Sequence, residues 1–486
     1  MANNNINIHE KLHAIFIAYP LQGHLIPSVH LAIKLASQGF TITYINTLSV
    51  HNQTSKAQSH TAGDKNDDIF ASVRKSAGLD IRYTTVSDGL PVDFDRSLNH
   101  DTFMAALVHV FSAHVEEVVG DIVGSSSKNT PPVTCLIADT FFVWPSKVAK
   151  KFGLLYVSYW TEPALVFTLY YHLHLLRNNG HFACPDVRED SINYIPGIKS
   201  IEPKDMTSYL QDSDTSSICH QLIFKAFNDV RGADFVLCNT IQELERDTIS
   251  ALQNDMSFYA IGPIFPIGFA KSSVATSLWS QSDCNHWLNS KPNGSVLYVS
   301  FGSYAHLSKQ DLVEIANGLS SSNVSFVWVL RPDIVSSDDV DPLPVGFREE
   351  VGDRSMIIPW CSQIEVLAHR AIGGFLTHCG WNSILESIRC EVPLLCFPLL
   401  TDQFTNRKLV VDDWKVGINL SNETSVNEKE VSDNISRLMD GKSGNDCRKA
   451  IKELRMIMDN SLTPNGSSNR NLDQFIKDLK TRTRAA

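Results

Sequence analysis

Between Trp360 and Gln403 the chain reads WCSQIEVLAHRAIGGFLTHCGWNSILESIRCEVPLLCFPLLTDQ, and no other stretch restricts the fold so tightly. The apolar run Met356-Ile357-Ile358 leads into an aromatic, Trp360. A second apolar strand, ending Gly374-Phe375-Leu376-Thr377, runs into His378-Cys379-Gly380-Trp381-Asn382-Ser383, with Glu386 on the next helical turn. A third, Val392 to Phe397, ends near the acid–amide pair Asp402-Gln403. Strand, helix and strand in that order dictate parallel pairing with a right-handed crossover. Polar residues then gather at the carboxyl ends of strands, where open α/β sheets bind ligands. The parts suit a nucleotide-sugar. An aromatic face stacks a base, a carboxylate takes two ribose hydroxyls, and a strand-to-helix turn offers N–H groups to phosphate. A packed core rarely collects Trp, His, Asn, Glu, Asp and Gln at strand ends.

The same alternation runs through the rest of the chain. His13 to Ala18 reads as a strand, Pro27 to Ser37 as a helix stopping at Gly39, and Thr41 to Asn46 as the next strand. Further strands are expected at Val133 to Ala138, Leu154 to Tyr159, Phe235 to Asn239 and Tyr259 to Ile261, and residues 51–68 as a polar loop. Pro263, Pro266, Gly268 and a Ser/Thr-rich run mark a linker. The alternation then restarts with a strand at Val296 to Ser300, a helix opening at Ser308 with Asp311 as capping partner, and a strand at Phe326 to Leu330. The fold class is therefore α/β: two Rossmann-like βα domains facing a cleft. The expected division is 1–262, a linker at 263–285, 286–468, and a carboxyl-terminal helix in 469–486.

Size agrees, since 486 residues suit two domains better than one. The chain carries 42 basic against 53 acidic residues, a net −11 without a basic stripe, which argues against nucleic acid or an anionic membrane as partner. No run of about 18 apolar residues occurs, so no membrane span is expected. The first residues, MANNNINIHEKLH, lack the apolar core of a signal peptide. Ten cysteines, Cys184 among them, show no C-x-x-C pair and read as reduced thiols of a cytosolic protein.

In the first half, His24 follows the opening strand and Asp139 ends the strand Val133 to Ala138. Singly, one reads as a solvated loop residue and the other as a helix cap. Together, at carboxyl ends of parallel strands, they face one crevice. A His held and charge-stabilised by an Asp is a general base suited to an acceptor hydroxyl.

The window from Trp360 resembles, nearly residue for residue, the signature box of plant secondary-product UDP-glycosyltransferases (family 1). The resemblance implies a GT-B fold whose last helix crosses back to the first domain, and catalysis with inversion by the dyad His24 and Asp139. It implies that Trp360 stacks on uracil, Cys361 contacts the base through its backbone, and Gln363 and Glu386 hold the ribose. His378, Gly380, Asn382 and Ser383 attend the phosphates, as does Ser303 in the turn Phe301-Gly302-Ser303. Trp381, Asp402, Gln403 and Thr161 face the sugar. Gln403 goes with glucose in the family, so UDP-glucose is the expected donor. The expected acceptor is a small, largely apolar phenolic, flavonoid or terpenoid. Phe141, Phe142 and Trp144 could line its pocket or equally pack the helix after Asp139. No cofactor or metal is implied, the UDP-sugar being a co-substrate, and a monomer is expected.

Ser362 and Arg370 stand where the family has Pro, Ile384 where it has Thr, Arg389-Cys390-Glu391 where it has small residues, and Phe397 where it often has Trp. These touch pocket shape, not an assigned contact. Asp93-Phe94-Asp95 and Asp212-Ser213-Asp214 have D-x-D spacing, yet neither follows an apolar strand. G-x-G-x-x-G, Walker and G-x-S-x-G motifs are missing. Two other classes stay open: a non-catalytic UDP-sugar binder, and an enzyme that hydrolyses or epimerises nucleotide-sugars.

Overall fold

Strand β1, His13–Ile17, is buried at every position and lies in the middle of a seven-stranded sheet. The structure is a computed structural model describing residues 11–58, 68–125, 130–183, 188–271, 274, 276–335, 341–421 and 425–485. Cys184 and the amino-terminal ten residues lie outside the described residues. The other strands of this sheet are β2 (Thr41–Thr47), β3 (Ile81–Val86), β4 (Cys135–Asp139), β5 (Leu155–Trp160), β6 (Phe235–Cys238) and β7 (Phe258–Ala260). Their order is β3-β2-β1-β4-β5-β6-β7, all parallel. The order reverses between β1, which leads to His24, and β4, which ends at Asp139, and this makes a crevice at their carboxyl ends.

A second parallel sheet is built from β8 (Val296–Ser300), β9 (Ser325–Val329), β10 (Ser355–Ile358), β11 (Ile372–Thr377), β12 (Leu394–Cys396) and β13 (Gly417–Asn419). Its order, β10-β9-β8-β11-β12-β13, again reverses, between β8 and β11. Those two strands precede Gly302 and His378, so each half has its switch point at the residues singled out by sequence. Near-continuous Val, Leu, Ile and Phe in the strands follow from burial on both faces.

The last helix, Ser467–Ala485, returns to the first sheet. Leu472, Phe475, Ile476 and Leu479 form its buried stripe, spaced as one helical face requires. The Phe475 ring lies 5.6 Å from Phe235 and 5.8 Å from Tyr259, whose hydroxyl donates to Asp478 over 2.7 Å. The halves also meet through Trp381 Nε1, which donates to Asn239 O (2.8 Å), and Asn382 Nδ2, which donates to Gly23 O (2.6 Å). Thr405 and Arg407 hold Asp205 from across the same seam.

Two expectations need correction. Residues 51–58 are not loop but the end of a helix, Leu48–Gln58. Its stripe carries only Val50 as a buried apolar side chain, and hydroxyls do the rest: Thr47 Oγ1 accepts from Val50 N (3.2 Å), and Thr54 Oγ1 donates to Val50 O (3.0 Å). Strands β3 and β13 were not expected. Both lie at sheet edges, where IRYTTV and GIN carry too little apolar signal. Among the described residues no single helix is long and apolar enough to cross a membrane; the pair His100–His109 and Phe111–Gly124 passes only when joined across a 46° bend.

Candidate active site

Where β1 ends, Leu21 to His24 turn directly into the helix Gln22–Ser37, five residues earlier than apolar periodicity suggests, with Pro27 inside its first turns. This carries the His24 imidazole over the end of β4. His24 Nδ1 lies 2.8 Å from Asp139 Oδ2 and 2.9 Å from Thr161 Oγ1. Asp139 is 1% exposed, and its other oxygen accepts from Phe141 N over 3.0 Å. An ionised carboxylate can only accept, so Nδ1 carries the proton and Nε2 keeps its lone pair. Since Thr161 can then only accept at Nδ1–H, its own hydroxyl hydrogen stays available to a substrate oxygen.

Aromatic rings close round this histidine. Tyr19 and Phe141 centroids lie 5.2 and 5.5 Å from His24. Of the three aromatic residues suggested for an acceptor pocket, only half-buried Phe141 touches the dyad. Phe142 and Trp144, 1% and 4% exposed, stack on each other (5.0 Å) and on Phe111, which is the packing alternative left open by the sequence.

A cleft of about 830 Å³ opens between the halves. Its second-half wall includes Ser303, Trp360, Gln363, His378, Asn382 and Glu386, and Gln22 and Gly23 approach from the first half. Trp360 stacks on Trp279, ring centroids 6.1 Å apart and planes inclined at 29°, forming an aromatic wall. Cys361 pairs with Ser282 as a short parallel bridge and buries its thiol against Tyr298 (3.6 Å), so only its backbone is offered to the cleft. Gln363 Nε2 donates to Glu386 Oε2 (2.7 Å) and to Ser383 Oγ (3.0 Å). Burial pushes the Glu386 carboxyl up to about 7, the Gln363 hydrogen bond opposing it.

His378 sits clasped between two glycines. Gly302 adopts φ +75°, and a Cβ there would stand 2.5 Å from His378 Nε2; one at Gly380 would stand 2.7 Å from it. Both positions therefore require glycine. Burial, with the Arg331 charge nearby, lowers the His378 imidazole to about 4, so it is neutral at pH 7. Beyond Gly380 the helix Trp381–Cys390 begins without a side-chain cap, leaving its first N–H groups for an anion.

Asp402 is 8% exposed, and burial raises its carboxyl while Thr401, Asn406 and the His24 charge lower it. Gln403 Oε1 accepts from Leu399 N (2.9 Å) and Leu400 N (3.1 Å), which leaves the amide NH2 as its free group. Trp381 is engaged at its indole N–H by Asn239, so its side chain joins the halves. The D-x-D aspartates fold into local turns: Asp212 accepts from Asp214 N (3.0 Å) and Asp95 from Ser97 N (3.0 Å).

Over 473 residues the chain is 60% identical to UDP-glycosyltransferase 86A2 of Arabidopsis thaliana, covering 97% of this chain and 95% of that protein. This chain is a UDP-glycosyltransferase. Residues 248–458 match the family model described as UDP-glucoronosyl and UDP-glucosyl transferase. The 7-deoxyloganetin glucosyltransferase of Gardenia jasminoides is 34% identical over 492 residues, covering 98% of this chain and 99% of that one. UGT2 of Phytolacca americana, complexed with UDP-2fluoro-glucose and pterostilbene, superposes with a TM-score of 0.77 at 27% identity, covering 96% of this chain and 99% of that one. The two parallel sheets are thus those of a GT-B glycosyltransferase.

Two parts of this glycosyltransferase's site escaped the sequence reading. Arg331, 1% exposed, donates to Gly302 O and to Ala305 O (2.7 Å) and pairs with Asp333 (2.9 Å), fixing the turn Phe301-Gly302-Ser303. A lone cation directly after the apolar strand Phe326 to Leu330 was the available signal. Glu162, beside Thr161, is the other.

Proposed function

We propose that this glycosyltransferase moves glucose from UDP-glucose to a hydroxyl of a small, largely apolar plant metabolite, inverting the anomeric carbon. The observation that carries this reading is the His24–Asp139 pair, 2.8 Å apart, at the seam beside the nucleotide cleft. His24 Nε2 takes the acceptor proton, the freed oxygen bonds to C1, and the C1–O bond to diphosphate breaks with its electron pair leaving on UDP. Asp139 steadies the imidazolium. The helix N-terminus at Trp381, neutral His378, Ser303, Gly380, Asn382 and Ser383 receive the leaving charge. Trp360 and the Cys361 backbone hold uracil, and Gln363 with Glu386 hold the ribose. Asp402, Gln403 and Thr161 hold the hexose.

The reaction proceeds without a metal in this proposal, because those donors already meet the diphosphate. The nine described cysteines are all free, which supports a reducing cytosol. A monomer suffices, since both halves of the site come from one chain, divided at 1–262 and 286–468 about a linker at 263–285. Phe141 and Tyr19 form the acceptor side next to His24. The names of relatives support the chemistry: one acts on 7-deoxyloganetin, and one is held with pterostilbene. Incubating the purified protein with UDP-glucose and a panel of phenolic, flavonoid and terpenoid alcohols, with chelator present, tests the proposal. Acceptor-dependent glucoside is expected; UDP release without any acceptor dependence would refute it.

A further inference from the structure

Glu162 is an unexplained carboxyl in the reacting region. It is 9% exposed, and its Oε2 is buried without a hydrogen-bond partner. Nor does Glu162 cap the helix that follows it. The helix Ala164–Tyr171 is already capped by another residue: Glu245 accepts from Ala164 N (3.0 Å) and Leu165 N (2.8 Å). Nor does an ion pair explain Glu162, since the charges acting on it are carboxylates. Burial is the main effect, followed by Asp402 across the seam and Asp139 of the dyad, and together they hold the Glu162 carboxyl well above the usual range. Such a group keeps its proton and, unlike ionised Asp139, can donate.

Its position limits what it can meet. Thr161, one residue earlier, touches His24, and Asp402 lies close enough to feel the His24 charge. Transfer requires C1 beside the oxygen that His24 deprotonates, and the two carboxylates that act on Glu162 are Asp139, which holds His24, and Asp402. We propose that the Glu162 carboxyl binds a hydroxyl of the transferred hexose and thereby selects among donor sugars. The inference rests on the proposed glucosyl transfer and adds a specificity-determining residue to it. A buried oxygen left unpaired is costly, whereas one satisfied only when the correct sugar enters gives discrimination.

The ionisable groups facing Glu162 are Asp139 at the end of β4, Asp402 at the head of the helix Gln403–Lys408, Tyr170, Tyr209 and Cys238. Both tyrosines and the cysteine are themselves raised by burial. The sign follows: hydrogen-bond donation persists while Glu162 is protonated and is lost as pH rises through its elevated value.

The test compares wild type, Glu162→Gln and Glu162→Leu. Affinity for UDP, which has no hexose, should be equal in all three. Glu162→Leu should lower kcat/KM for UDP-glucose about 3- to 10-fold, and one member of a UDP-2-, 3-, 4- and 6-deoxyglucose series should show no such loss. Glu162→Gln, neutral and able to donate at every pH, should restore turnover and flatten the alkaline fall. Equal losses on every deoxy donor, losses that follow the acceptor instead, or an unchanged alkaline limb in Glu162→Gln would overturn the inference. Wild type failing to glucosylate any acceptor would instead refute the transfer reaction.

Discussion

Donor binding should weaken steeply in mild acid, and Glu386 sets the size of the effect. In the free protein its carboxyl sits at about 7, held up by burial. Binding two ribose hydroxyls requires two accepting oxygens, so the ionised form binds and the protonated form does not. The sign is then fixed: donor affinity is full well above pH 7 and falls as pH drops through about 7. At about pH 5.5 the ionised fraction is roughly 1 in 30, giving a roughly 30-fold weaker apparent Kd, about 2 kcal/mol. UDP-glucose is the right probe, since its diphosphate diester does not titrate in this range. His378, lowered to about 4, stays neutral across the window and contributes nothing. Calorimetry of UDP-glucose binding without acceptor, from about pH 5.5 to 8, reads the curve. At pH 7, binding should release about half a proton, seen as a dependence of heat on buffer ionisation. Glu386→Gln should bind more weakly at pH 8 and lose the slope. A flat wild-type curve, or the same slope in Glu386→Gln, would refute the assignment of Glu386 to the ribose.

Other expectations follow from the same geometry. Gly302→Ala places a Cβ 2.5 Å from His378 Nε2 at φ +75°; it should cost about 1–2 kcal/mol of backbone strain and raise donor KM about tenfold with circular dichroism unchanged. Trp360→Ala removes the stacking wall and should raise donor KM with little change in kcat, by about 1–3 kcal/mol; steady-state kinetics on UDP-glucose decides. UDP-glucose should be preferred to UDP-glucuronate at least tenfold, about 1.4 kcal/mol, because Trp381 brings no cation to the sugar and Arg331 and Arg407 are engaged by Asp333 and Asp205. Competition between the two donors measures it.

Much of this was legible in the chain because local chemistry and long-range position coincide at strand ends. The capping box shows it in miniature: Ser308 Oγ accepts from Asp311 N over 3.0 Å, as the spacing requires. β1, β4, β8 and β11 are apolar on both faces, and that pattern alone places His24, Asp139, Gly302 and His378 at the crevices. Edge strands β3 and β13 lacked the signal because only part of each is buried. Phe142 and Trp144 could not be assigned from sequence, since an aromatic after a strand end serves core and pocket alike; packing against Phe111 decides it. Trp381 was expected at the sugar, yet its indole bond to Asn239 depends on a residue more than a hundred positions away, which no local pattern carries. Glu162 was invisible for a related reason, because its isolation becomes apparent only once Glu245 is seen occupying the helix terminus.

The central claim is that His24 removes the acceptor proton in a site whose nucleotide cleft is built mainly by the other half. The most direct measurement is turnover of UDP-glucose with an alcohol acceptor by His24→Ala, alongside UDP binding by the same protein. Turnover should fall about 10²- to 10⁴-fold while UDP affinity stays within twofold of wild type. Wild-type turnover by His24→Ala would contradict the account.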